Sequence, residues 1–151
     1  MLDMSKQFIM LVGFPGSGKS TLAKGYQEQG YTIYSTDAIR NEFNLHNPEQ
    51  ISEVLPILNE RMIKSLENGE CIVYDSTNLL RKHRIKVLEL INQYDYTTIC
   101  YILNTPIDVC KKRNSYRRGY SKISEEDYNF LEKTFQKPIY NEGWDKIIWE
   151  R

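Results

Sequence analysis

Gly13-Phe14-Pro15-Gly16-Ser17-Gly18-Lys19-Ser20, followed by Thr21, decides how the rest of the 151-residue chain is read. It fits G-x-x-x-x-G-K-[ST] at every fixed position. The unbroken apolar run from Phe8 to Val12 predicts a buried parallel strand before it, and the pattern from Lys19 to Gln29 predicts a helix after it. Glycines let the backbone fold around an anion without a Cβ in the way, so successive N–H groups converge on its oxygens. The helix start adds unpaired N–H groups and the positive end of its dipole. Here the Lys19 ammonium suits β- and γ-phosphates, and the Ser20 hydroxyl is a hard ligand for Mg²⁺. A glycine-rich turn with no ligand has no use for that lysine and hydroxyl together. The stretch implies binding of ATP or another nucleoside triphosphate by Gly13, Pro15, Gly16, Ser17, Gly18, Lys19, Ser20 and Thr21.

Outward from the loop, strand and helix patterns alternate. Gln29-Gly30 stops the first helix, and Tyr31 to Ser35 reads as a second strand. A short helix follows from Ala38 to Phe43, with Thr36 or Asp37 as its expected cap. Ile51, Val54, Leu55, Leu58, Met62 and Leu66 mark an amphipathic helix that Pro56 should either kink or begin. Cys71 to Tyr74, closed by Asp75, reads as a third strand. Leu80, Ile85, Leu88, Ile91 and Tyr94 mark a helix whose outer face carries Arg81, Lys82, Arg84 and Lys86. Tyr96 to Leu103 is the fourth strand, and Asn104-Thr105-Pro106 opens the next helix with a cap and an early proline. Ser124 to Asp127 resembles a capping box, Pro138 ends that helix, and Lys146 to Trp149 is the last strand. The alternation predicts one α/β domain over residues 1–151, a parallel sheet of about five strands with helices on both faces. Ligands of such sheets sit beyond the carboxyl ends of the strands, where Gly13 to Ser20, Asp37 and Asp75 would gather.

Composition narrows the partners. Lys plus Arg and Asp plus Glu number 20 each, so no global field attracts nucleic acid or a membrane. No apolar run approaches the roughly 20 residues of a membrane span. Three scattered cysteines suit free thiols in a reducing compartment rather than disulfides or zinc. A cytoplasmic protein without a signal peptide is expected. Its oligomeric state is not legible.

Three constellations could carry chemistry. Asp37, just past the second strand, is placed to take a proton from an attacking hydroxyl, and Arg40, three residues on, to grip a substrate phosphate; equally, they could be a helix cap and a surface arginine. Asp75 ends an apolar strand, as in a Walker B arrangement that holds Mg²⁺, but it or its neighbours Ser76-Thr77-Asn78 could simply cap a helix. Between Lys111 and Lys122 stand six cations and no acid. Such a run is often a solvated helix face. Here it ends in Arg118-Gly119-Tyr120, which suits a mobile arginine-bearing lid that closes over a transferred phosphoryl group. His46 and His83 have no partner at metal-ligand spacing, and Trp144 and Trp149 read as core or rim.

Taken together, Gly13 to Thr21, Asp37-Ala38-Ile39-Arg40, Asp75-Ser76-Thr77-Asn78 and Arg113-Asn114-Ser115-Tyr116-Arg117-Arg118-Gly119 resemble the 5′-hydroxyl polynucleotide kinase family. That family comprises the phage enzyme's kinase domain and kinase modules of bacterial repair enzymes, with zeta-toxin-like small kinases as wider kin. The resemblance implies a P-loop NTPase-type fold with an arginine-bearing helical lid and transfer from ATP with Mg²⁺. It implies Asp37 as general base, Arg40 at the acceptor phosphate, Arg117 on the donor phosphates beside Lys19, and Arg113 as a supporting lid residue. Asp75, Thr77 and Asn78 would serve substrate, and Ser20 and Asp75 the metal. Ser76 separates Asp75 from Thr77-Asn78, a departure from the phage enzyme that leaves Asp75 between metal and substrate. No D-x-D-x-T pair occurs, so no 3′-phosphatase activity is expected of these residues. Two other readings stay open: a kinase of a small hydroxyl substrate (nucleoside, sugar nucleotide or antibiotic), and a nucleotide-dependent switch that transfers nothing.

Overall fold

In the computed structural model, which describes residues 6–119 and 122–150, the apolar run before the glycine loop is β1, Gln7–Val12. Tyr120, which closes the basic run, lies outside the described residues. β2 (Thr32–Ser35), β3 (Ile72–Asp75), β4 (Thr97–Leu103) and β5 (Lys146–Glu150) join β1 in one sheet of order β2-β3-β1-β4-β5. All pairings are parallel. Between the strands run α1 (Lys19–Glu28), α2 (Thr36–Phe43), α3 (Ile51–Glu67), α4 (Arg81–Ile91), α5 (Ile107–Ser115) and α6 (Glu125–Thr134).

β1 divides the core by alternation, because successive side chains leave opposite faces of a strand. Phe8, Met10 and Val12 pack with Val54, Leu58 and Met62 of α3 and Leu88 and Ile91 of α4. Ile9 and Leu11 pack with Ala23 of α1, Val73 and Ile99. The sheet is covered on both faces, as the unbroken apolar strands require.

Several local expectations are corrected. Ser35, not Thr36 or Asp37, caps α2: its Oγ accepts from Ala38 N at 3.4 Å. That leaves the Asp37 carboxylate out of cap duty. α3 does not begin at Pro56: it starts at Ile51 and runs to Glu67 with the exposed Pro56 inside it. Neither Asn104 nor Thr105 caps α5, which starts after Pro106. Arg84 is fully buried rather than on an outer face. Cys100 and Cys110 are buried, Cys71 is half-buried, and none is paired. Trp144 is core, and no helix among the described residues is long and apolar enough to cross a membrane.

Candidate active site

Because the strands are parallel, their carboxyl ends share one edge, and register fixes what lies side by side there. Leu11 pairs with Asp75, and Asp75 with Ser35, so the glycine loop, the β3 acid and the start of α2 leave adjacent strands together. Cross-links hold this edge. Gly13 N donates to Thr77 O at 3.1 Å, Thr36 Oγ1 to Ser76 Oγ at 3.1 Å, and Asn78 Nδ2 to Leu11 O at 2.7 Å. Asn78 has φ +50°, and its carbonyl accepts from Arg84 Nη1 at 2.8 Å.

The edge opens into a cleft of about 1110 Å³. Pro15, Gly16, Ser17, Gly18, Lys19, Ser20 and Thr21 form its floor, and Gly13 lies buried just behind. Asp37, Arg40, Asp75, Thr77 and Asn78 line one side, Arg113 and Arg117 the other. Thus every site residue expected from sequence lies on this cleft or directly beneath it.

The loop's conformation depends on glycine at two points. Gly16 has φ +85° and Gly18 φ +104°, and a Cβ on Gly16 would come within 2.6 Å of the Cys110 carbonyl. Ser17 Oγ, also in the loop, is a buried polar atom with no hydrogen-bond partner among the described residues.

Lys19 curls back over the loop, its Nζ donating to Gly13 O at 3.0 Å and Phe14 O at 2.9 Å. Although the residue as a whole is half-buried, its ammonium is enclosed, and burial lowers its pKa to about 8. Asp75 and Asp37 oppose that drop, whereas Arg117 adds to it. Burial likewise pushes the Asp75 carboxyl up, with Lys19 only partly offsetting it and Asp37 adding to the rise. For both groups desolvation outweighs attraction. A buried acid in that condition, with the Ser20 hydroxyl on the same cleft, fits a divalent cation. The described residues hold no cluster of three or more His, Cys, Asp or Glu, so phosphate and water oxygens would complete the shell, as Mg²⁺ prefers.

Arg40 is half-buried, its Nη1 donating to Leu45 O at 2.8 Å and Asn47 O at 2.9 Å. Burial lowers its pKa and Asp37 opposes this, so the two side chains sense each other. Arg113 Nη1 donates to Gly16 O at 3.1 Å, which attaches the end of α5 to the loop.

Sequence reasoning missed Tyr128, whose hydroxyl donates to Pro15 O at 2.7 Å, and Thr105, whose hydroxyl donates to Ser17 O at 2.8 Å. Thr105 lies just past the end of the fourth strand, after Asn104, so the carboxyl-edge rule could have found it. Tyr128, Leu131 and Phe135 recur at helical spacing, which marks Tyr128 as a buried position and gives no sign of its bond to the loop. His46 and His83 both line the cleft, which spacing alone did not indicate.

A family model described as an AAA domain matches residues 8–138. The bifunctional polynucleotide phosphatase/kinase of Schizosaccharomyces pombe is 24% identical over 146 residues, which cover 94% of this chain and 33% of that protein. A protein of Acanthamoeba polyphaga mimivirus whose name carries the same two activities is 29% identical over 150 residues, covering 94% of this chain and 32% of the relative. The chain therefore spans about a third of the length of these curated relatives. Among solved structures, Mycobacterium tuberculosis APS kinase in complex with AMPPNP and APS superposes with a TM-score of 0.69 at 16% identity, over 96% of this chain and 88% of that one. Identity that low speaks for the fold alone.

Proposed function

The chain belongs to the AAA domain family, and we propose that it is an ATP- and Mg²⁺-dependent kinase that transfers the γ-phosphoryl group to the 5′-hydroxyl end of DNA or RNA. One observation carries the reading: Asp37, Arg117 and Lys19 share a cleft, and Lys19 senses both of the others electrostatically. The names of the two polynucleotide phosphatase/kinase relatives support the acceptor class.

In this reading the phosphate loop seats the triphosphate. Ser20 and Asp75 would hold Mg²⁺, which supplies charge neutralisation for the β- and γ-oxygens. Asp37, exposed at the cleft and free of capping duty, orients the acceptor hydroxyl and takes its proton. The new O–P bond forms as the bond from the γ-phosphorus to the β–γ bridging oxygen breaks, and ADP leaves with that electron pair. Lys19 and Arg117 meet the charge on the transferring group, and Arg113 keeps its side of the cleft in place. Arg40 and the Thr77-Asn78 wall face the acceptor side.

A kinase of a small hydroxyl compound is the second reading. It is favoured by Arg40, whose Nη1 is already engaged by Leu45 and Asn47 carbonyls and so offers less to a strand phosphate. Labelled γ-phosphate should pass from ATP to a 5′-OH oligonucleotide and not to a panel of nucleosides, sugar nucleotides and sugars; label on a metabolite alone would replace the acceptor. Asp37→Ala should lower turnover by at least about 100-fold while ATP binding persists. Unchanged turnover in that variant would remove the base.

A further inference from the structure

No carbonyl from Gly13 to Ser17 lacks a donor. Lys19 holds the first two, as described, and Ser17 N closes a turn onto Phe14 O at 3.0 Å. The next three are held from outside the loop: Pro15 O by the Tyr128 hydroxyl, Gly16 O by Arg113 Nη1, and Ser17 O by the Thr105 hydroxyl. Those donors come from α6, from the last turn of α5 and from the β4–α5 connection. Tyr128 is buried, and its hydroxyl also lies 3.3 Å from Cys110 O, so it bridges the loop and α5.

We propose that Thr105, Arg113 and Tyr128 are positioning residues that tether successive carbonyls of the phosphate loop outward, and so set its N–H groups for an anion before any ligand arrives. A trans peptide holds its C=O and N–H antiparallel. Tethering Pro15 O and Ser17 O therefore turns the N–H groups of Gly16 and Gly18 the opposite way. Tethering Gly16 O fixes the peptide whose N–H makes the turn onto Phe14. The loop needs such tethers because glycine takes positive and negative φ with similar ease, so a peptide plane beside Gly16 or Gly18 would otherwise flip at little cost. Preorganisation of this kind shows in affinity, since less ordering remains to be done on binding. The same tethers have a second effect. Arg113 and Tyr128 lie on either side of Arg117 in the chain, so both approaches to that arginine are attached to the loop that holds the phosphate.

The inference rests on the reading that the loop holds a nucleoside triphosphate. Its test is calorimetric ATP binding with Mg²⁺ and no acceptor, which separates affinity from the fraction of protein able to bind. Tyr128→Phe and Thr105→Val each remove one hydroxyl at nearly constant shape. Each should raise the ATP Kd about fivefold, the worth of one neutral hydrogen bond, at unchanged stoichiometry. The double variant should depart from the product of the two, because both act on one loop. A merely structural role would lower the melting temperature and the binding stoichiometry while leaving Kd alone, and that result overturns the proposal. If Tyr128→Phe does not fold, Thr105→Val decides by the same two readouts. Wild-type protein that fails to bind ATP would overturn the nucleotide reading itself, and the tethering with it. Wild-type that binds, with variants that bind as tightly, would overturn the tethering alone.

Discussion

Lys19 spends two of its donors on loop carbonyls, which leaves the third direction of an ammonium for a ligand. Its pKa of about 8 sets a pH window. Below 8 the free protein carries the charge that phosphate needs; above it the charge is lost unless bound phosphate draws the proton back. ATP binding at pH 8.5 should therefore take up a proton, visible as a buffer-dependent heat, and affinity should fall about tenfold between pH 7 and pH 9. Stability of the nucleotide-free protein runs the other way. Because burial lowers this lysine below its unfolded value of 10.5, the unfolded chain holds more protons between the two values, and stability rises with pH across that window. Lys19→Met should abolish both trends in calorimetry and urea titration. Gly16→Ala tests the loop from another side. A positive φ and a Cβ 2.6 Å from a backbone carbonyl should together cost about 2–4 kcal/mol in urea unfolding and remove ATP binding. Both residues were legible in the sequence, because fixed spacing to the strand and helix dictates their roles. Tyr128 was not, since its partner Pro15 lies on a distant part of the chain and no local pattern encodes that meeting.

At the scale of elements, α4 was half legible. Its buried stripe is Arg84, Val87, Leu88 and Ile91, and the charge of Arg84 disguised the first member. The guanidinium tolerates burial because each of its nitrogens donates: to Glu142 at 2.8 Å through Nε and Nη2, to Asn78 O at 2.8 Å through Nη1, and to Gln136 O at 2.7 Å through Nη2. Glu142 also accepts from Arg81 Nε at 2.9 Å and Trp144 Nε1 at 3.0 Å. Burial alone would push the Glu142 carboxyl up, but hydrogen bonds from Arg84, Trp144 and Arg81 prevail and hold it below the ordinary value. This hub fastens the segment leading into β5 to α4, and it reaches the cleft through the Asn78 carbonyl. Arg84→Met should cost about 3–5 kcal/mol in urea unfolding, because it removes the buried partner of a buried carboxylate and leaves only the more exposed Arg81 to balance its charge. The stability that Glu142 contributes is present above the unfolded carboxylate range and lost as pH falls through its folded value. The variant's stability curve should therefore be flatter than wild type in acid.

For the whole molecule, the sheet brings sequence-distant pieces to one edge, so a ligand there binds only the folded chain. ATP with Mg²⁺ at about a hundred times its Kd should add about 2.7 kcal/mol and raise the melting temperature by about 5–10 °C. Removing the metal with EDTA should cancel most of that shift, as read by differential scanning fluorimetry. The sequence by itself determined the order of strands and helices, the parallel sheet, the phosphate loop and which acids follow which strands, because these depend on periodicity and on spacing within about ten residues of a strand end. Only the tertiary structure decided the burial of Arg84 and the attachment of Tyr128, Arg113 and Thr105 to the loop. A hydrogen bond between residues about a hundred positions apart leaves no local trace, since what it requires is a partner delivered by the fold.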